Sequence, residues 1–255
     1  MTLLLKLVLA PLLVVGSSLA GRRWGAAVAG TLVALPIVAG PILFITCLEQ
    51  GLRFGARAAS ASLLGLVSLA TFTVVFAWCS RRTGWLASLS VAWLATLALD
   101  LGLARLDLPP LVGFTLVLTS AWLALRAFPH VPTQTTTTTS GWPWWDLPGR
   151  ALATAGLVVA VTTAAATLGP SMTGVLAPFP IATSVVAAFV LAQQGTDATV
   201  HTLRGVPRGL LGFAVFCLLV AILVERLGTA GAFAVAVAGT LTIQLIWRRV
   251  LASTA

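Results

Sequence analysis

The sequence predicts an all-α, polytopic membrane protein of about nine transmembrane helices, built from two inverted four-helix repeats with one linking helix between them. Three observations lead there. Of the 255 residues, 59% are hydrophobic and 8% charged, against roughly 25% charged in an average soluble domain. Apolar runs of the length that crosses ~30 Å of hydrocarbon follow one another with short gaps. The chain also matches itself without a gap when shifted by 144 residues.

In order, the predicted spans are about 2–20, 24–48, 56–79, 85–104, 110–128, 148–168, 171–194, 199–224 and 228–248. The first is read as a helix rather than a cleaved signal because Lys6 lies inside the apolar run. The fifth starts at Pro109-Pro110, and the parity of the whole count depends on it. Pro129 to Leu147 is not membrane: Pro132, the threonines Thr135 to Thr139, and Trp142-Pro143-Trp144-Trp145 leave too few aliphatic side chains to span. These boundaries give an N-terminal repeat at 1–104, a reversing helix at 105–128, a cytoplasmic linker rich in Thr, Trp and Pro at 129–147, and a C-terminal repeat at 148–255.

Fifteen Lys+Arg against six Asp+Glu give a net charge of +9, but the basic residues sit between apolar runs. That placement reads as topology, because cytoplasmic loops collect Lys and Arg. Alternating loops put Arg22, Arg23, Arg81, Arg82, Arg126, Arg150, Arg204, Arg208, Arg248 and Arg249 on one side, and Lys6, Arg53, Arg57, Arg105 and Arg226 on the other. The imbalance predicts the N-terminus outside and the C-terminus in the cytoplasm. No basic domain stands outside the bilayer, so the lipid bilayer is the expected partner and nucleic acid is not. Cys47, Cys79 and Cys217 are isolated, without metal-ligand spacing. No HExxH, P-loop or Ser/His/Asp set appears, so the chain is read as not an enzyme, with no catalytic residue, metal or cofactor expected.

The shift of 144 residues superposes 25–99 on 169–243, pairing Gly30 with Gly174, Pro36 with Pro180, Gln50 with Gln194, Gly51 with Gly195, Gly65 with Gly209, Phe72 with Phe216 and Gly84 with Gly228. Shared Gly and Pro weigh most, because each makes a backbone demand at one place. Four helices per repeat plus one intervening crossing invert the second repeat in the membrane, a recurrent plan of secondary transporters.

The stretch Gly174-Val175-Leu176-Ala177-Pro178-Phe179-Pro180, followed by Gln194-Gly195, Leu203-Arg204-Gly205 and Gly209 through Phe216, resembles the GlpM-like family of small bacterial inner-membrane proteins. Gly30 to Pro36 and Glu49-Gln50-Gly51 look like the same unit. The resemblance implies two fused four-helix units in the bacterial inner membrane, and it implies no established activity.

Ten residues are candidates for binding a substrate. Pro36 and Pro41 in the second span, and Pro178 and Pro180 near the start of the seventh, would free backbone carbonyls where the helices break. Glu49 and Gln50 correspond to Gln193 and Gln194, and Asp100 corresponds to Gln244. Ionisable groups at bilayer depth cost enough that they usually face the bundle interior and have a partner or a task. Arg53 or Arg57 would be an ordinary partner for Glu49, and Arg105 for Asp100, both acids being expected near the external face. The leading expectation is a small inverted-repeat carrier of a small metabolite, anion or lipid-like cargo, its broken helices facing one another around Pro36, Glu49, Pro180 and Gln193. The alternative is a non-transport accessory or scaffold subunit of an envelope-polymer system. The sequence leaves the oligomeric state open.

Overall fold

The computed structural model describes residues 2–37, 39–103, 105–106, 108–131, 143–168 and 179–253, and among them regular structure is entirely helical. The helices are α1 (Thr2–Trp24), α2 (Ala26–Val33), α3 (Ala39–Gln50), α4 (Leu52–Cys79), α5 (Trp85–Leu103), α6 (Pro110–Ala127) and α7 (Asp146–Leu168), followed by a helical run, Ile181–Ser253. That run has non-helical backbone at Gly195 and Gly228, which divides it into α8 (181–194), α9 (196–227) and α10 (229–253).

Among the described residues, four elements are long and apolar enough to cross a membrane: Leu52–Cys79, Trp85–Leu103, Pro110–Ala127 and the broken run Ile181–Gln244. The protein is thus a helical membrane protein. Among the described residues α4 is the central helix, with 56% of its most apolar window buried against 22% in α5 and in α6. Leu63, Leu66, Phe72 and Phe76 of α4 and Val200, Leu203, Leu210 and Phe216 of α9 belong to one buried cluster. The outer faces of α5 and α6 carry Leu86, Leu94, Leu111 and Leu123 exposed, the surface a lipid environment would cover.

Several predicted boundaries move. The second span is two helices, α2 and α3, separated at Ala34 to Ile37, because Pro36 has no N–H to donate and disfavours helix in the residue before it. Pro41 does not break a helix: it stands in the first turn of α3, where its missing N–H would have no intrahelical partner anyway. The linker ends at Trp145, since Asp146 and Leu147 already belong to α7. α4 and α9 start at Leu52 and residue 196, earlier than predicted, each directly after a glycine. Pro178, the Thr run 135–139 and the Gly174 to Ala177 part of the family-like stretch lie outside the described residues.

The helix ends recur at the sequence repeat. α1 and α7 are both 23 residues long and begin at positions 144 apart, Thr2 and Asp146. Gly51 and Gly195, matched by the same shift, both leave the helical region with φ of 91° and 84°. That backbone is essentially restricted to glycine, and a Cβ at either site would meet nothing within 4 Å. The cost of an added methyl is therefore purely conformational. Gly51→Ala and Gly195→Ala are each expected to cost about 1–3 kcal/mol, by similar amounts, read as a lowered melting midpoint in detergent. One variant costing nothing while the other unfolds the protein would show that the two junctions are not equivalent.

Contacts sort the helix termini into two ends of the bundle. At one, Arg22 near the end of α1 bonds Asp146 at the start of α7, and Gln193 near the end of α8 bonds the same carboxylate. Thr196 at the start of α9 donates to the Ser80 carbonyl just past α4, and Trp78 Nε1 donates to the Ala127 carbonyl closing α6. This is the basic end, holding Arg22, Arg23, Arg81, Arg82, Arg126 and Arg150. Exposed Trp24, Trp78, Trp85, Trp122, Trp144 and Trp145 gather there. Arg23, Arg81 and Arg126 lie 5.8, 5.6 and 4.6 Å from the rings of Trp24, Trp78 and Trp122. Indoles prefer headgroup depth, and guanidinium groups bind their faces. The other end carries Arg53 at the start of α4 and Glu225 near the end of α9.

These contacts also fix direction. Arg22 meets Asp146 and Ser18 meets Arg150, so α1 and α7 pack antiparallel. The end of α4 meets the start of α9, so those two are antiparallel as well.

Candidate functional site

Two buried polar centres stand out. The first is at the basic end. Asp146, the first residue of α7, is fully buried, and its carboxylate accepts from three helices. Arg150 Nε donates to Oδ1 at 2.9 Å and to Oδ2 at 3.0 Å, Gln193 Nε2 donates to Oδ1 at 2.6 Å, and Arg22 Nη2 donates to Oδ2. Arg150 Nη1 reaches the Ser18 hydroxyl at 3.4 Å, and its guanidinium lies 5.1 Å from the Phe189 ring. The i, i+4 spacing of Asp146 and Arg150 on α7 makes their pairing local; α1 and α8 complete it from a distance. A buried carboxylate held this way is tolerable only because each oxygen is met by charged or amide donors.

The second centre lies between α5 and α4. On α5 the buried positions Ser88, Ala92, Thr96 and Asp100 recur every fourth residue, one stripe along a helix. Asp100 is 5% exposed and lies beside Ser68 of α4. Neither its Oδ2 nor the Ser68 hydroxyl has a hydrogen-bond partner among the described residues. Ser68 is eleven residues, roughly 17 Å of helix, from both Arg57 and Cys79. Asp100 stands in the last turn of α5, against Ser68 in the interior of α4, and Arg105, its expected partner, is exposed just past the helix end. The matched stripe on α10, Ala232, Ala236, Thr240 and Gln244, faces α9. Thr240 Oγ1 donates to the Gly212 carbonyl at 3.2 Å, and Gln244 lies against Gly212, which the repeat pairs with Ser68. The Gln244 amide nitrogen is buried without a partner among the described residues.

The ten candidates thus fall in separate places. Gln193 joins the ionic centre, and Asp100 and Gln244 occupy matched positions on α5 and α10. Glu49 and Gln50 end α3 exposed, with no ion pair from Glu49 to Arg53 or Arg57 among the described residues. Gln50 lines an open cleft of about 490 Å³ at the far end with Gly51, Leu52, Arg53 and Glu225. Gln194 is the last residue before the Gly195 break and is half-buried. Pro36 lies in the α2–α3 break, its carbonyl accepting from Gly40 N at 2.8 Å, and Pro180 stands buried before α8, accepting from Ser184 N at 2.8 Å. Pro36, Glu49, Pro180 and Gln193 do not share one set of contacts.

Sequence reasoning did not single out Asp146, Ser18, Phe189, Ser68 or Gly212. Asp146 had a signal, an arginine four residues on in a chain with six acidic residues. Ser68 and Gly212 had none beyond being matched by the repeat.

No known protein family, curated protein or solved structure matches this chain.

Proposed function

We propose that the chain is an inverted-repeat membrane transporter, of about nine crossings, for a small metabolite, anion or lipid-like cargo. The observation that carries this reading is the antiparallel packing of helices that the 144-residue repeat matches, α1 with α7 and α4 with α9. Two like units inverted about the membrane plane can exchange conformations, and that exchange opens a shared interior first to one face and then to the other.

The orientation follows from charge. With the basic end cytoplasmic, the N-terminus is outside and the C-terminus inside, in the bacterial inner membrane that the GlpM-like resemblance implies. An accessory or scaffold subunit would be expected to present small-residue stripes to a partner. The small residues Gly30, Gly205 and Gly209 are instead spent on contacts within the bundle.

Purified protein in liposomes is expected to exchange at least one labelled member of a panel of inorganic anions, small carboxylates and lysolipids faster than protein-free liposomes. No exchange of any member, with the protein recovered from membranes in a stable envelope complex, would favour the accessory reading. A reporter fused to the C-terminus is expected to signal from the cytoplasm, and a periplasmic signal would contradict nine crossings.

A further inference from the structure

Asp100 is an acid buried in the bundle, with no cation paired to it among the described residues. The elements packed against α5 are α4 and the run 181–253. On α4 the charged residues are Arg53 and Arg57, both near the far end, and on α5 Asp100 stands alone. Residues 181–194 and 229–244 carry no charge, and in α9 charge is confined to 197–208 and 225–226. Outside those charged stretches, the other titratable side chains on these elements up to residue 244 are the thiols of Cys79, the last residue of α4, and of Cys217 in α9. What faces the carboxyl is the Ser68 hydroxyl, itself lacking a partner among the described residues.

An unpaired carboxylate is poorly accommodated in such surroundings, whereas the neutral acid has one O–H to donate and a hydroxyl oxygen beside it to receive it. The second repeat makes the same point: at the matched position Gln244 fills the stripe with an amide, a group with the hydrogen-bonding shape of a protonated acid and no charge. Intramembrane carboxyls without fixed counter-ions mark proton pathways.

We propose that Asp100 is a proton-binding site within the membrane, the proton-coupling residue of the carrier. A proton from water on one face forms the O–H bond on the carboxyl, the neutral acid is held against Ser68, and the proton returns to water on the other face after the conformational exchange. The coupling half of this proposal rests on the transport reading, while the binding half stands by itself.

The test separates them. In liposomes at neutral pH, protein labelled with ¹³C at its aspartate carboxyls is expected to show a carboxylic-acid C=O stretch in its infrared spectrum. The band should be lost in Asp100→Asn and shifted in frequency in Ser68→Ala, which keeps the assay usable even if the Asn variant does not fold. Liposomes carrying the wild type are expected to dissipate an imposed pH gradient several-fold faster than those carrying Asp100→Asn. Absence of the band, or its survival in Asp100→Asn, overturns the site even if cargo exchange is observed. A band assigned to Asp100 without faster dissipation supports the site and overturns its coupling to transport.

Discussion

Asp146→Ala is expected to destabilise the basic end of the bundle by about 3–5 kcal/mol, the cost of removing one partner from a buried ion pair. The carboxylate is fully buried and receives Arg22, Arg150 and Gln193 from three helices. Without it, two guanidinium groups are left facing each other, and Arg150, 2% exposed, cannot turn to water without unpacking α7 from α1. Asp146→Asn keeps the shape but not the charge and is expected to fall between wild type and Ala. Replacing all three charges together, with Arg22→Met, Asp146→Leu and Arg150→Met, should cost less than Asp146→Ala alone, because apolar groups of similar volume leave no charge unanswered. The measurement is the thermal midpoint in detergent. A triple variant less stable than Asp146→Ala would mean that the charges contribute through something other than mutual compensation. Because the cluster joins α1, α7 and α8, Asp146→Asn is also expected to raise the accessibility of a cysteine placed at Ser18 to a water-soluble thiol reagent.

Gly205→Ala should separate α2 from α9. A Cβ on Gly205 would stand 2.0 Å from the Ala27 carbonyl oxygen and 2.9 Å from Thr31 N, and one on Gly30 would stand 1.9 Å from the Thr202 carbonyl oxygen. These are backbone atoms and cannot rotate away. The crossing is sealed by Thr31 Oγ1, which donates to its own helix at Ala27 O, 3.0 Å, and across to Gly205 O at 3.1 Å. Close approach through small residues and interhelical hydrogen bonds is how helices associate where lipid offers no hydrophobic drive. Overpacking of this kind costs about 1–3 kcal/mol or more. Gly16→Ala, where a Cβ meets nothing within 4 Å, is the control, expected to be neutral or stabilising by up to ~1 kcal/mol from helix propensity. Equal melting midpoints for Gly205→Ala and Gly16→Ala would overturn the crossing.

The helical character and most helix positions were legible in the sequence because apolar run length and glycine or proline punctuation are local properties. Pro109-Pro110 opens α6, with Pro110 as its first residue, and Gly51 and Gly195 end their helices as the repeat required. Pro36 was read correctly as a break, but Pro41 was not one: proline matters by its distance from a helix start, and that start is set by where α3 begins. Asp100 was expected to pair with Arg105, its nearest cation along the chain, but the register of α5 on α4 sets it beside Ser68 instead.

Sequence alone determined that this chain is a bundle of apolar helices with a duplicated pattern of breaks, since hydropathy and backbone freedom are written residue by residue. Only the tertiary structure decided that Asp146 draws Arg22, Arg150 and Gln193 into one buried centre, that Gly30 and Gly205 meet backbone to backbone, and that α1 packs against α7. Those are facts of which helix faces which, and with so few charges and so many interchangeable Ala, Val and Leu side chains, the faces become distinguishable only when steric fit and buried polar groups must be satisfied together.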